Sequence, residues 1–237
     1  MSVSSADPGP AAAPPTARLD HGVIGNGRVL ALINPDTAID WLCVPRFDGP
    51  SVFGRILDRE KGGTFSFTSV GENSESRTEY VLNTNVLVTR VRARDGAYDL
   101  YDFAPRMPRG LGWEEPAEIH RVLIPREGDP RISVTFDPRP DYARVKPEIW
   151  PVTGGLEIAG GPMRMYLRTN VPSAYVLNGQ PIHLDEGLYF VFGAGRTSKV
   201  DSLAAARHTL ETTIAGWRQW AQTCALPPFA AAAVLRS

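Results

Sequence analysis

The sequence is poor in the residues from which redox and metal sites are built. It holds two cysteines, Cys43 and Cys224, far apart and outside any paired spacing. That excludes a disulfide framework and a cysteine-based zinc or redox motif, and two free, buried thiols are expected. The four histidines, His21, His120, His183 and His208, are scattered without metal-ligand spacing, so each is read as structural or exposed and no metal site is expected. Neither sign of charge is in excess: 25 Lys and Arg against 26 Asp and Glu leave a net charge of −1, which gives no basic field for nucleic acid. No run approaches the roughly 20 apolar residues that a membrane-spanning helix needs, and residues 1–18 have neither the basic nor the apolar region of a leader. A disordered Pro/Ala-rich tail over 1–18 and a cytoplasmic location are the resulting expectations. Gly25 and Gly27 lack the third glycine and the following helix of a dinucleotide site, and no cofactor is expected.

What is abundant is turn chemistry. The 22 Gly and 21 Pro punctuate short apolar runs, the pattern of an antiparallel sandwich rather than of a parallel sheet with crossover helices. Asp95-Gly96 predicts a hairpin between a strand through Val86, Val88 and Val91 and its return over Tyr98–Phe103. Further strands are expected at 119–124, 131–136, 163–169, 174–177 and 188–192, with turns at Glu127–Pro130, Gly154-Gly155, Gly160–Pro162, Asn178-Gly179 and Asp185–Gly187. The 237 residues suit one large all-β domain. From Ser202 to Gln222 the period changes: Leu203, Ala206, Leu210, Ile214, Trp217 and Ala221 recur at steps of three and four, an amphipathic helix capped by Asp201 or Ser202 and stopped by Pro227-Pro228.

Between Ile24 and Phe53 the chain reads IGNGRVLALINPDTAIDWLCVPRFDGPSVF. The turn Asn34-Pro35-Asp36 separates an apolar run from the alternation of Ile39, Trp41 and Cys43, which predicts a hairpin with one buried face. Arg46 and Asp48 follow in a break at the strand end, and Ser51 is expected to cap a helical turn through Val52, Phe53, Ile56 and Leu57.

This stretch resembles the start of the N-terminal domain of bacterial and archaeal family 15 glycoside hydrolases, the glucoamylase, glucodextranase and trehalase group. There the pattern runs I-G-D-G-R and then D-G-S-I-D-W-L-C-L-P-R-F-D-S-P. YVLNTNVLVT at 80–89, YDFAPR at 101–106 and PRPDYAR at 138–144 extend the likeness. Asn26 stands where the family usually has Asp, and Thr37-Ala38 replaces its Gly-Ser turn. The resemblance implies a galactose-mutarotase-like antiparallel β-supersandwich over 19–200, then a linker helix and the start of an (α/α)6 barrel over 201–237. In that group hydrolysis of α-glucosides proceeds with inversion, using two barrel glutamates as general acid and base, so no residue of this sequence inherits a catalytic role. The expected role is that of a non-catalytic domain packing on and stabilising the barrel, which is its partner in cis or a separate chain, with α-glucan or trehalose as the parent substrate. Leu210, Trp217, Phe229, Val234 and Leu235 are the expected barrel-facing surface, left exposed where the barrel is missing.

Arg46, Asp48 and Trp113 are the candidates for a substrate rim or a domain interface. An Arg and a carboxylate can hydrogen-bond glucose hydroxyls, but an ion pair fixing a loop is the plainer reading. Trp41 is assigned to the core, whereas Trp113, in a Gly- and acid-rich loop, is expected to be exposed. Glu114 and Glu115 are neighbours in that loop and read as a solvated turn. Two other functions stay open: a stand-alone carbohydrate-binding module, with Trp113 and Trp150 as its aromatic platform, and a mutarotase-like epimerase, which needs a His and a carboxylate converging in a pocket.

Overall fold

A computed structural model describes residues 20–71, 74–196, 198–225 and 229. The tail expected over 1–18, the stop at Pro227-Pro228 and the residues Val234 and Leu235 lie outside the described residues.

The first strands are β1 (Gly22–Gly25), β2 (Leu30–Ile33), β3 (Ile39–Cys43), β4 (Ser51–Phe53), β5 (Thr64–Ser69) and β6 (Glu75–Tyr80). They are followed by β7 (Leu87–Ala93), β8 (Gly96–Phe103), β9 (Met107–Arg109), β10 (Gly112–Glu114), β11 (Glu118–Gly128) and β12 (Arg131–Asp137). The rest of the chain forms β13 (Glu148–Val152), β14 (Gly155–Ala159), β15 (Met165–Thr169), α1 (Ser173–Asn178), β16 (Ile182–His183), β17 (Leu188–Ala194) and α2 (Leu203–Gln222). A seven-stranded sheet runs β1-β2-β3-β5-β12-β16 with β4 beside β3, and an eight-stranded sheet runs β13-β14-β15-β17-β11-β8-β7-β6. Neighbouring strands pair antiparallel, and the two sheets pack as the expected supersandwich.

Alternation of apolar side chains places the core between the sheets. Phe53, Phe65 and Phe67 of the first sheet meet Phe190 and Phe192 of β17, with ring centroids 5.4 Å apart for Phe53 and Phe192 and 5.1 Å for Phe67 and Phe190. Strands β8, β11 and β17 of the larger sheet bury residues of opposite parity on its outer face, where Phe103, Val122, Tyr189 and Val191 pack under Ala206 and Leu210 of α2. Ser202 caps this helix through a bond from Ala205 N to Ser202 Oγ, as its position predicts. No helix among the described residues is long and apolar enough to cross a membrane.

Three local expectations are corrected. Ser51–Phe53 is a strand, not a helical turn, because Val52 and Phe53 are β-formers that bury themselves beside β3, with Phe53 opposite Leu42. Residues 174–177 lie in the helix α1, closed by Gly179 at φ 60°, since one buried side chain, Val176, suffices to anchor so short an element. In β3 the alternation slips. Ile33 pairs with Ile39 and Leu32 with Trp41, so Asp40 is an extra residue that turns Leu42 inward and leaves Trp41 half-buried. Cys43 is buried and free as expected, its thiol pushed up by burial and by Asp48, whereas Cys224, also free, is only half-buried.

Candidate functional site

Asn26, buried at 2% exposure, joins stretches that lie far apart in the chain. Its Oδ1 accepts from the backbone N–H groups of Arg28 (3.0 Å) and Val29 (3.1 Å), closing its own turn. Its Nδ2 donates to the carbonyls of Pro105 (2.8 Å) and Pro116 (3.0 Å), clamping both ends of the segment between them. The Phe47 N–H donates to the Arg28 carbonyl at 2.9 Å, which adds the loop that carries Arg46 and Asp48. The strand after that loop, β4, accepts from Arg139 N and Tyr142 N. There Asp141, Tyr142 and Ala143 take φ of 53°, 55° and 62°, three successive non-glycine residues in the left-handed region at a cost of about 1–3 kcal/mol each. Tyr142 lies 6.3 Å from Trp41, ring centre to ring centre. One end of the sandwich is thus assembled from four separate stretches.

On this end Arg46 and Asp48 form a bidentate pair, Nε to Oδ1 at 2.8 Å and Nη2 to Oδ2 at 3.0 Å, with both side chains largely exposed. The guanidinium holds the Asp48 carboxyl below its ordinary value. Phe47 between them is 54% exposed, and Leu111, at the tip of the β9–β10 hairpin, is fully exposed. Trp113 is half-buried, not free as expected. The Arg106 guanidinium lies 4.1 Å from the Trp113 ring centre and 4.7 Å from that of Trp217, so the cation is held between a hairpin indole and a helix indole. Arg106 Nε also reaches Glu115 at 3.3 Å, while Glu114 lies 3.9 Å from Arg109, so the two glutamates do not converge.

Helix α2 runs to this same end. Near its start Arg207 Nη2 donates to the Glu186 carbonyl, and near its end Gly216 lies against Trp113 and the Arg106 carbonyl. The stripe expected to face a barrel therefore faces this chain's own sheet in part. Leu210 is 5% exposed beneath the helix and Trp217 is half-buried in the cation stack, while Phe229 is 76% exposed.

The structure also brings together groups that show no motif in the sequence. Glu118 accepts from Tyr166 Oη at 2.7 Å and bonds His120 Nε2 at 2.8 Å beneath α2. Burial drives its carboxyl up, but bonds from His120, Tyr166 and Ser198 outweigh burial and leave it below its ordinary value. Burial raises Tyr166 in turn. Here a carboxylate and an imidazole do converge, yet at 7% and 1% exposure they face packed side chains, and epimerisation of a sugar needs such a pair open to substrate. Trp113 and Trp150 each carry a guanidinium on the ring, Arg106 and Arg164, the latter at 5.4 Å.

The pattern that describes Trehalase-like, N-terminal domains matches residues 10–175 of this chain. The chain belongs to that family. Among curated proteins this trehalase-like domain is 36% identical over 131 residues to a trehalase of Thermoplasma volcanium, covering 54% of this chain and 21% of that protein. It is 27% identical over 208 residues to a trehalase of Thermoplasma acidophilum, covering 84% of this chain and 35% of that protein. A trehalase of Mycobacterium tuberculosis is 35% identical over 96 residues, 40% of this chain and 14% of the relative. The domain thus spans about a third or less of the proteins it resembles. Arg106 and Asn26 both lie in the stretches that carried the family likeness; what the sequence did not reveal is that Asn26 bonds to residues some 80 and 90 positions away.

Proposed function

We propose that this domain is the non-catalytic N-terminal part of a family 15 hydrolase and that it seats on the catalytic (α/α)6 barrel through the end organised by Asn26. The observation that carries this reading is the convergence of the family-like stretches around Asn26, with Phe47 exposed between the paired Arg46 and Asp48, at the end where α2 packs on Trp113. Exposed apolar side chains rimmed by charge suit a domain interface. The parent reaction is inverting hydrolysis of an α-glucosidic bond by two glutamates of the barrel, and the relatives' name makes trehalose the first substrate to test, with α-glucans second. The exposed, paired side chains of Arg46 and Asp48 suit either holding a sugar hydroxyl at the barrel rim or fixing the interface.

Two measurements separate these roles. The purified chain is expected to release no glucose from trehalose or maltooligosaccharide, and enzyme-like turnover would overturn the reading. In a protein that carries the barrel, Arg46→Ala raises KM for trehalose if Arg46 touches substrate, whereas Phe47→Ser lowers thermal stability if Phe47 is buried between domains. No effect of either variant removes this end as the docking surface. A stand-alone carbohydrate-binding module is disfavoured by the guanidinium on each of Trp113 and Trp150, and calorimetric titration with maltoheptaose is expected to be silent.

A further inference from the structure

At the opposite sheet from α2, the β11–β12 turn and the edge strand β16 bring three metal-ligating residues together. Asp129, His183 and Asp185 place one donor atom each within 4.8 Å of one another, His183 Nδ1 standing 3.0 Å from Asp129 Oδ1. Their backbones are pinned independently of any ligand. Asp129 N donates to the Asp95 carbonyl at 2.8 Å, Leu184 N donates to the Pro130 carbonyl at 3.0 Å, and His183 pairs with Arg131 across β12 and β16. Ile182 and Leu184 are anchored in the core at 9% and 1% exposure, so the alternation of an extended chain sends His183 and Asp185 outward on one side, toward Asp129. Arg131, the one cation paired across the strands from this group, is drawn away to Asp95 at 3.6 Å. Two carboxylates and an imidazole remain, with solvent access for further ligands: His183 is 57% and Asp129 65% exposed.

We propose that Asp129, His183 and Asp185 form a site for a borderline divalent cation of the zinc type. One imidazole nitrogen and two carboxylate oxygens suit such an ion in preference to magnesium, whose octahedral shell favours oxygen and water. Tetrahedral coordination at zinc distances needs donors roughly 3.3 Å apart. The Asp129–His183 contact at 3.0 Å is a hydrogen bond that the ion would replace, and the Asp185 donor lies within 4.8 Å of both. Two carboxylates match the charge of the ion, and water completes its shell. The bound ion would tie the short edge strand β16 to the β11–β12 turn, so binding stabilises the folded chain.

The test is calorimetric titration of the whole 237-residue chain with ZnCl2, with MgCl2 as comparator, followed by thermal unfolding. One saturating zinc site with a raised Tm is expected, and no comparable signal with magnesium. Because the three side chains are exposed, Asp129→Asn and His183→Gln keep the far-ultraviolet dichroism of the parent. Each is expected to lose about tenfold or more in affinity, as even disturbing a ligand's support costs that much. Cys224→Ser is expected to bind as the parent does, and Arg131→Gln to bind more tightly. No saturable binding to the parent chain, or undiminished binding by His183→Gln, would overturn the site.

Discussion

Arg121 and Asp102 form an ion pair between the two sheets with both side chains fully buried, Nε to Oδ1 at 2.7 Å and Nη2 to Oδ2 at 3.1 Å. Both residues belong to the eight-stranded sheet, but the remaining guanidinium donors reach the carbonyls of Phe65 and Thr37 in the other layer. The cation also lies 4.8 Å and 4.6 Å from the rings of Phe65 and Phe67. Burial pushes the Asp102 carboxyl up, and Arg121 opposes that shift.

Removing Arg121 strands a buried carboxylate and two backbone carbonyls. Arg121→Leu is expected to cost about 3–5 kcal/mol in urea unfolding. Arg121→Leu combined with Asp102→Leu is expected to cost less than the sum of the single changes, because neither charge is then left unpaired. Strict additivity in that double-mutant cycle would refute the coupling.

Asn26→Asp tests the clamp at the candidate site. An ionised carboxylate can still accept from Arg28 N and Val29 N but cannot donate to the Pro105 and Pro116 carbonyls, which it would repel. A loss of about 1–3 kcal/mol is expected at neutral pH. Unchanged stability would mean that the segment between Pro105 and Pro116 is held by other contacts.

The carboxyl of Glu118 titrates lower in the folded chain than in the unfolded one, so its contribution is present above the unfolded value of about 4.3 and is lost as pH falls below it. Glu118→Gln should therefore be less stable than the parent at pH 7, with the gap narrowing below about pH 4. A gap that stays constant between pH 7 and pH 3 would remove the carboxylate as its source.

Gly216 marks where α2 meets the β9–β10 hairpin. A Cβ there would lie 2.9 Å from Trp113 Cζ3 and 3.0 Å from the Arg106 carbonyl oxygen. Gly216→Val is expected to destabilise by about 1–3 kcal/mol through overpacking. Any helix-propensity gain from replacing glycine would be smaller, and Trp113 fluorescence should shift as the stack with Arg106 opens.

The elements with strong local signals were legible in the residues. The Asp95-Gly96 turn does join two strands, β7 and β8, and the stripe from Leu203 to Ala221 is the helix α2. Strands with weak alternation were not legible: β6 reads ESRTEY, largely polar because it lies at the sheet edge, and β13 contains Pro151. The Asp40 bulge hid the true phase of β3, since one inserted residue turned Leu42 inward and left Trp41 half-buried. Of the candidate site, Arg46 and Asp48 were found because both charges lie two positions apart in one loop. The Arg106 stack was not found, because Trp113 and Trp217 are about a hundred residues apart.

Local chemistry in the chain was enough for the β-rich class, the helix α2 and the family, since turn residues, side-chain period and motif order are properties of neighbours in sequence. Which side chains meet was decided only on folding. Strand β5 pairs with β12, and β11 with β17, across long intervening segments, and their register comes from burying the phenylalanine layer between the sheets. That packing places Arg121 beside Asp102, sets Asn26 under Pro105 and Pro116, and gathers Asp129, His183 and Asp185 at one edge.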